Sequence, residues 1–119
     1  MTTINKVLET LSRLKPNTVK DEDIARWLLE LDGQLFKELY MPEDAIRPQK
    51  WPEDGDLELT ASAPYDCLYE YYTLAQIEFY QREYGNYNNT MELFNDALDN
   101  YRRAYRRDHL PPEIYIHNL

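Results

Sequence analysis

The chain has 119 residues, of which 43% are hydrophobic and 29% are charged, and this balance suits one soluble globular domain with its own core rather than a disordered segment. Its net charge of −9 makes general binding to nucleic acid or to an anionic membrane unfavourable. Cys67 is the only cysteine, which excludes an internal disulfide and a four-cysteine zinc site.

The hydropathy of the chain predicts no membrane segment. No run of about 18 apolar residues occurs, and the first residues lack the apolar block of a signal peptide. We therefore expect a protein that works in the cytoplasm in which it is made.

Two amphipathic helices are predicted in the first third of the chain. Apolar residues recur at helical spacing over 3–14, where Thr2 or Thr3 can cap the first turn and Pro16 ends the helix. A second apolar face runs from 18 or 21 to 39, and its acidic first turn suits the positive end of a helix dipole.

The next segment, 41–64, is predicted to be a proline-rich loop, because prolines and a glycine divide it into turns. Within it, Leu57 to Ala61 alternates apolar and polar residues, which predicts one short strand. A single strand needs a partner. Either the alternating C-terminal segment 113–117 or a strand of a neighbouring subunit could supply it.

A long third helix is predicted over 65–84, with apolar residues on almost every side. One apolar row comprises Leu68, Tyr72, Ala75 and Phe79. The polar stripe is narrow and consists of Asp66, Glu70, Thr73 and Gln81. Such a helix must be enclosed by other helices of the chain or by other copies of the protein.

The fourth helix is predicted to follow a turn at 85–89, whose Gly and Asn residues tolerate positive φ. Asn89 and Glu92 have the spacing of a capping box, and Pro111 and Pro112 end the helix. Because the turn is short, the third and fourth helices should form an antiparallel hairpin. We therefore predict a mostly α fold over 1–119, a four-helix bundle with a long C-terminal hairpin, one short β pairing and an extended tail at 111–119.

No arrangement of side chains predicts a reaction, a metal site or a cofactor site. His109 and His117 are too few to hold a metal, and Cys67 has no histidine motif that would make it a nucleophile. Asp66 and Glu70 are better explained as solvated residues of a helix, and no glycine-rich phosphate loop is present. We expect a protein that is not an enzyme.

The predicted interaction residues lie in three places. One is the end of the fourth helix, where four arginines could form a solvated helix end, a weak nucleic-acid patch or a docking site for an acidic protein surface. The others are the predicted strand and the tail, which would contact neighbouring subunits. The residues are Arg102, Arg103, Arg106, Arg107, Leu57, Leu59, Ile114, Tyr115 and Ile116.

Five stretches carry a resemblance to a known family: 15–17, 27–33, 63–69, 84–90 and the helix over 94–105. Their order and patterning resemble small proteins encoded in the structural-gene clusters of tailed phages and prophages of Gram-positive gut bacteria. Those proteins look like head–tail connector, or adaptor, subunits. Nothing is carried over for 41–56, where such chains differ most.

The resemblance implies a non-enzymatic virion protein that completes the head and joins the tail. Adaptors of this kind are small helical bundles that assemble on the portal protein as a ring of about twelve copies and contact other neck and tail-completion proteins. The implied location is the virion neck, and the host bacterial cytoplasm during assembly, without specific nucleic acid or membrane binding. The alternative is a small acidic cytoplasmic protein-binding or regulatory helical module, although the acidic residues are spread over both halves of the chain.

Overall fold

Four helices form the part of the protein that the computed structural model describes, residues 1–39 and 49–108. They are α1 (Ile4–Leu14), α2 (Asp21–Leu39), α3 (Cys67–Tyr80) and α4 (Tyr84–Asp108). No strand occurs in these residues, so the prediction of a mostly α bundle is confirmed. The predicted tail at 111–119 and residues 41–48 of the proline-rich loop lie outside the described ranges.

The first two helices have the predicted bounds, because local signals determine both. The side chain of Thr3 accepts a hydrogen bond from the backbone N–H of Lys6 at 3.2 Å and so caps α1 as expected. The first turn of α2 is acidic, which is favourable at the positive end of its dipole. Both helices bury one apolar stripe, formed in α1 by Ile4, Val7 and Leu11 and in α2 by Ile24, Trp27, Leu28, Leu31 and Leu35.

The third helix lies at the centre of the bundle. It packs against all three other helices, and its contact with α4 is the most extensive in the protein. Leu68, Tyr69 and Ile77 are inaccessible to solvent, and burying an aliphatic side chain of this size contributes roughly 1.5–3 kcal/mol. The predicted burial of this helix is therefore achieved within one subunit.

Three details of the prediction for α3 are wrong. The helix is shorter than 65–84, and Thr73, which the sequence placed on the polar stripe, is fully buried. Its hydroxyl donates to the carbonyl of Tyr69 at 2.8 Å, so that a polar side chain can be buried without an unmet hydrogen bond. Phe79, predicted to belong to an apolar row, is exposed.

The predicted turn at 85–89 is also wrong, because these residues belong to the first turns of α4. The chain reverses between Tyr80 and Tyr84, where Arg82 has a φ of 61°. The Asn89–Glu92 pair consequently lies inside the helix rather than at its start.

Aromatic packing explains the early start of α4. The Phe79 ring lies 5.7 Å from the ring of Tyr84 and 5.3 Å from that of Tyr87. Such ring pairs contribute about 0.5–1.5 kcal/mol beyond area burial, which offsets the low helix propensity of Gly85 and the neighbouring asparagines. Propensity alone therefore misplaces the turn.

The predicted strand at 57–61 is wrong as well. Glu58 forms an isolated antiparallel bridge with Thr3, and the N–H of Leu59 donates to the carbonyl of Thr2 at 2.8 Å. The segment thus pairs with the two residues just before α1. The C-terminal tail, which was predicted as one possible partner, lies outside the described residues. No ladder extends from this bridge, because the next backbone N–H groups, those of Thr60 and Ala61, donate to the side chains of Asp32 and Tyr69.

The loop before this segment is held against α1 by Asn5. The backbone N–H of Asn5 donates to Gly55 O at 3.0 Å, and its side-chain amide bonds to Asp56 at 2.8 Å and to the indole N–H of Trp51 at 3.0 Å. A Cβ on Gly55 would lie 2.7 Å from that amide, so a larger residue here would displace the Asn5 side chain from its bonds to Asp56 and Trp51. Residues 51–58 are therefore seated on the protein by specific contacts.

Candidate interaction surfaces

A buried carboxylate joins three parts of the fold. Asp32 of α2 is 1% exposed. Its Oδ1 accepts from the N–H of Thr60 at 2.8 Å and from the hydroxyl of Tyr69 at 2.6 Å, and its Oδ2 accepts from Thr60 Oγ1 at 3.0 Å. The Tyr69 hydroxyl in turn accepts from the N–H of Ala61 at 2.8 Å. We call Asp32, Thr60, Ala61 and Tyr69 the Asp32 network.

The Asp32 network is a structural element and presents no group to a substrate. Burial raises the pKa of Tyr69, and the neighbouring Asp32 carboxylate raises it further, so the phenol keeps its proton and donates a hydrogen bond to Asp32. Each polar atom described above has a partner inside the protein, which is what a buried polar cluster requires. The network anchors the segment after Glu58 between α2 and α3.

Sequence reasoning missed Asp32. The signal was available, because Asp32 lies among the apolar residues Leu28, Leu31 and Leu35 of α2. A charged residue there is buried only if it is hydrogen-bonded. Its donors come from positions far along the chain, and only the folded structure brings them together.

The four arginines at the end of α4 do not form one patch. Arg102 is half-buried and pairs with Glu38 of α2, with Nη2 donating to Oε2 at 2.9 Å and Nε lying 2.8 Å from Oε1. It therefore joins α4 to α2. Arg103, Arg106 and Arg107 are exposed.

A groove of about 580 Å³ runs along the outer side of the α3–α4 hairpin. Its α4 wall has residues three or four positions apart over four turns, which is one continuous stripe of a helix. We call the whole groove the α3–α4 groove. It is lined by Pro64, Tyr65, Cys67, Tyr71, Leu93, Asp96, Ala97, Asn100, Arg103, Ala104 and Arg107. The structure thus brings two of the predicted arginines together with aromatic and aliphatic side chains.

The groove has an apolar end and a basic end. The apolar end contains Leu93, which is 50% exposed. The basic end contains Arg103 and Arg107. A hydrogen bond to the Tyr65 hydroxyl raises the pKa of Arg107, which stays a cation. Ala97, between the two ends, and Ala104, beside the arginines, have small side chains that leave space for a bound group.

Cys67 lies half-buried at the edge of this groove. Burial, and secondarily the carboxylate of Asp66, raises the pKa of its thiol above the usual value. The thiolate that a nucleophile needs is therefore disfavoured. The carboxylate of Asp66 accepts a hydrogen bond from the hydroxyl of Thr2 and makes no side-chain cap to α3.

The two leucines predicted for interaction face opposite ways. Leu57 is 42% exposed, whereas Leu59 is 2% exposed and belongs to the core. Exposed carboxylates flank Leu57 in the loop, namely Glu53, Asp56 and Glu58. We call residues 53–58 the acidic loop. The other predicted residues, Ile114, Tyr115 and Ile116, lie outside the described ranges.

Aromatic side chains are exposed at the far end of the hairpin. Phe79, Tyr80 and Tyr84 are accessible to solvent, and Tyr80 stacks on Trp27 of α2 with ring centroids 5.5 Å apart. This cluster closes the end of the bundle where α3 turns into α4.

Within residues 1–39 and 49–108, no group of three His, Cys, Asp or Glu side chains is placed to hold a metal ion. In the same ranges, no helix has the length and apolar character needed to cross a bilayer. Comparison with protein-family models, with curated proteins and with solved structures finds no match to this chain.

Proposed function

We propose that the protein is a non-enzymatic head–tail connector subunit of a tailed phage or prophage. It would assemble in the virion neck on the portal protein, as a ring of about twelve copies, to complete the head and receive the tail. The single observation that carries the proposal is the α3–α4 groove, an open, partly apolar surface four helical turns long. The resemblance of the sequence to connector proteins names the class.

The packing of the bundle supports an assembling subunit. α3 is covered by α1, α2 and α4, so the subunit has its own core and its association surfaces lie elsewhere. Exposed apolar positions such as Leu57 and Leu93 are found instead on the acidic loop and the groove. Exposed apolar surface bordered by charge is typical of protein–protein contacts.

The charge of the chain also suits this role. A subunit that extends the channel through which DNA passes should not hold phosphates, and a net charge of −9 disfavours such contacts. Arg103 and Arg107 are exposed on the last turns of α4, where they can bind carboxylates of another protein. Both features favour binding to protein rather than to DNA.

Portal binding tests the proposal. The purified protein is mixed with the portal protein encoded in the same gene cluster, and the complex is examined by co-sedimentation and electron microscopy. We expect co-sedimentation and a ring of density below the portal. Failure to bind that portal across a range of salt concentrations would overturn the assignment, and the capsid protein of the same cluster serves as the control for nonspecific binding.

The predicted assembly role of the tail is tested in the same assay. Deletion of 111–119 should leave the helical circular dichroism signal and the free energy of unfolding nearly unchanged, yet abolish co-sedimentation with the portal. A large loss of folding stability would contradict the assembly role of this segment.

A further inference from the structure

The α3–α4 groove needs an occupant with both apolar and acidic groups. Its apolar part contains the side chain of Leu93, which is half-exposed, and the small side chain of Ala97 at the bottom of the groove. A second small side chain, Ala104, lies between the two arginines. Ala97 and Arg103 are six residues apart on α4, which is about 9 Å along the axis. A short segment that places a leucine over Ala97 can therefore bring carboxylates to the arginines.

The two arginines of the groove are available for such a contact. Arg103 pairs with Asp99 one turn earlier, and Arg107 pairs with the adjacent Asp108 at 3.4 Å. Both guanidinium groups are more than half exposed in these pairs. Exposed pairs of this kind stabilise a fold little and exchange partners readily.

The acidic loop of the same chain has the complementary features. Leu57 is exposed between acidic residues, with Glu53 and Glu58 on either side in the sequence. The loop is held in place by Asn5 and by the burial of Leu59. A segment that is ordered before it binds loses less conformational entropy on binding.

We propose that the acidic loop of one copy docks in the α3–α4 groove of a second copy, with Leu57 over Ala97 and with Glu53 and Glu58 facing Arg103 and Arg107. The inference rests on the proposed function, since it names the contact between neighbouring subunits. The loop and the groove share no residue, so each copy offers both halves of the contact. When such a contact is repeated head to tail, the copies form a closed ring if a whole number of the rotations between neighbouring copies makes one full turn.

The charges favour a second copy over a nucleic acid in the groove. A phosphate backbone would meet Asp96 as well as Arg103 and Arg107, and it has no aliphatic side chain to place at the apolar end of the groove. The acidic loop instead combines an apolar side chain with separate carboxylates, which matches both ends of the groove.

The native thiol of Cys67 makes the contact testable by disulfide trapping. Asp56→Cys adds a thiol to the loop at an exposed position beside Leu57 and leaves Leu57 in place, and Cys67 already lies at the edge of the groove. The variant is oxidised with diamide at mildly alkaline pH, since the pKa of Cys67 is raised, with and without the portal protein. Mixing isotope-labelled and unlabelled protein before oxidation shows by peptide mass spectrometry whether a disulfide joins two chains.

We expect a disulfide between the introduced thiol and Cys67 of another chain. The matched control is Leu14→Cys, a leucine of α1 that is 67% exposed and belongs to neither surface. The proposal predicts a yield at least about tenfold above that control, because docking raises the effective concentration of the two thiols.

Charge reversal provides a second measurement. Arg103→Glu with Arg107→Glu in the Asp56→Cys background should reduce the yield about tenfold through repulsion by Glu53 and Glu58. Adding Glu53→Lys and Glu58→Lys should restore it, which a variant that merely misfolds would not do.

The proposal is overturned if the disulfide yield equals that of the Leu14→Cys control with the portal present, or if the disulfide joins residues of one chain only. Portal binding without this disulfide would leave the connector function in place and remove this interface. The disulfide without portal binding would establish the interface and remove the connector function.

Discussion

The Asp32 network and the α3–α4 groove both place charged side chains between helices, but their surroundings differ. In the network, Asp32 is 1% exposed and receives three hydrogen bonds from Thr60 and Tyr69. In the groove, Arg103 and Arg107 are exposed and pair with nearby carboxylates of their own helix, and Arg107 also bonds to the Tyr65 hydroxyl. Removing one partner from the Asp32 network leaves buried polar groups without a hydrogen bond. Removing a carboxylate from the groove leaves an exposed arginine that water can solvate. The network therefore maintains the fold, and the groove can exchange its contacts for those of another molecule.

The largest effect is expected from Asp32→Ala. It leaves the N–H and hydroxyl of Thr60 and the hydroxyl of Tyr69 without their acceptor, and should lower the free energy of unfolding by about 3–5 kcal/mol. Urea unfolding followed by circular dichroism measures the change. Asp99→Ala on the exposed side of α4 is the control and should change stability by less than about 0.5 kcal/mol. A loss below about 1 kcal/mol in Asp32→Ala would contradict the structural role of the network.

A second pair of variants compares two leucines of one segment. Leu59→Ala opens a cavity in the core and should cost about 3 kcal/mol. Leu57→Ala should change the free energy of unfolding by less than about 0.5 kcal/mol and weaken self-association instead. Urea unfolding and analytical ultracentrifugation separate the two effects. Equal losses of stability in both variants would show that Leu57 also belongs to the core.

Alkaline pH should weaken the protein through Tyr69. Because burial raises the pKa of this phenol from its ordinary value of 10.0, the folded protein keeps the proton that the unfolded chain loses. The stability from this group is thus complete below about pH 10 and falls by about 1.4 kcal/mol per pH unit above it. Urea unfolding between about pH 9 and pH 11 should show a shallower decline for Tyr69→Phe than for the native protein. Identical slopes would rule out the buried phenol as the cause.

The smallest effect is expected from the arginines. Arg102→Ala removes the pairing with Glu38 and should cost about 1 kcal/mol, because the pair is partly exposed to solvent. Arg106→Ala, with its exposed side chain, should change stability by less than about 0.5 kcal/mol. Thermal unfolding of both variants tests the assignment of Arg102 to the fold. An Arg106 variant less stable than the Arg102 variant would refute it.

Helix content was predictable where the signals are local. The bounds of α1 and α2 follow from apolar spacing, from the cap at Thr3 and from the acidic first turn of α2. The hairpin of α3 and α4 was also predicted, but its turn was placed at 85–89. Glycine and asparagine propensities are weak, and the rings of Phe79, Tyr84 and Tyr87 outweigh them.

The candidate surfaces were predicted in part. Four arginines were expected to act together, yet Arg102 pairs with Glu38 across to α2 and only two of the others line the groove. The alternation at 57–61 indicated opposite faces for Leu57 and Leu59, but not which face would be buried. That choice follows from the bonds that Thr60 and Ala61 make to Asp32 and Tyr69.

By itself, the sequence determined a mostly α protein with four helices and an enclosed third helix, because apolar periodicity and proline positions act over neighbouring residues. Only the tertiary structure decided which polar groups are buried. Asp32 and its donors Thr60 and Tyr69 are 28 and 37 positions apart, and a hydrogen bond between them exists only once the helices have packed. The same packing left open the groove between α3 and α4, the surface on which the contact with a second copy is proposed.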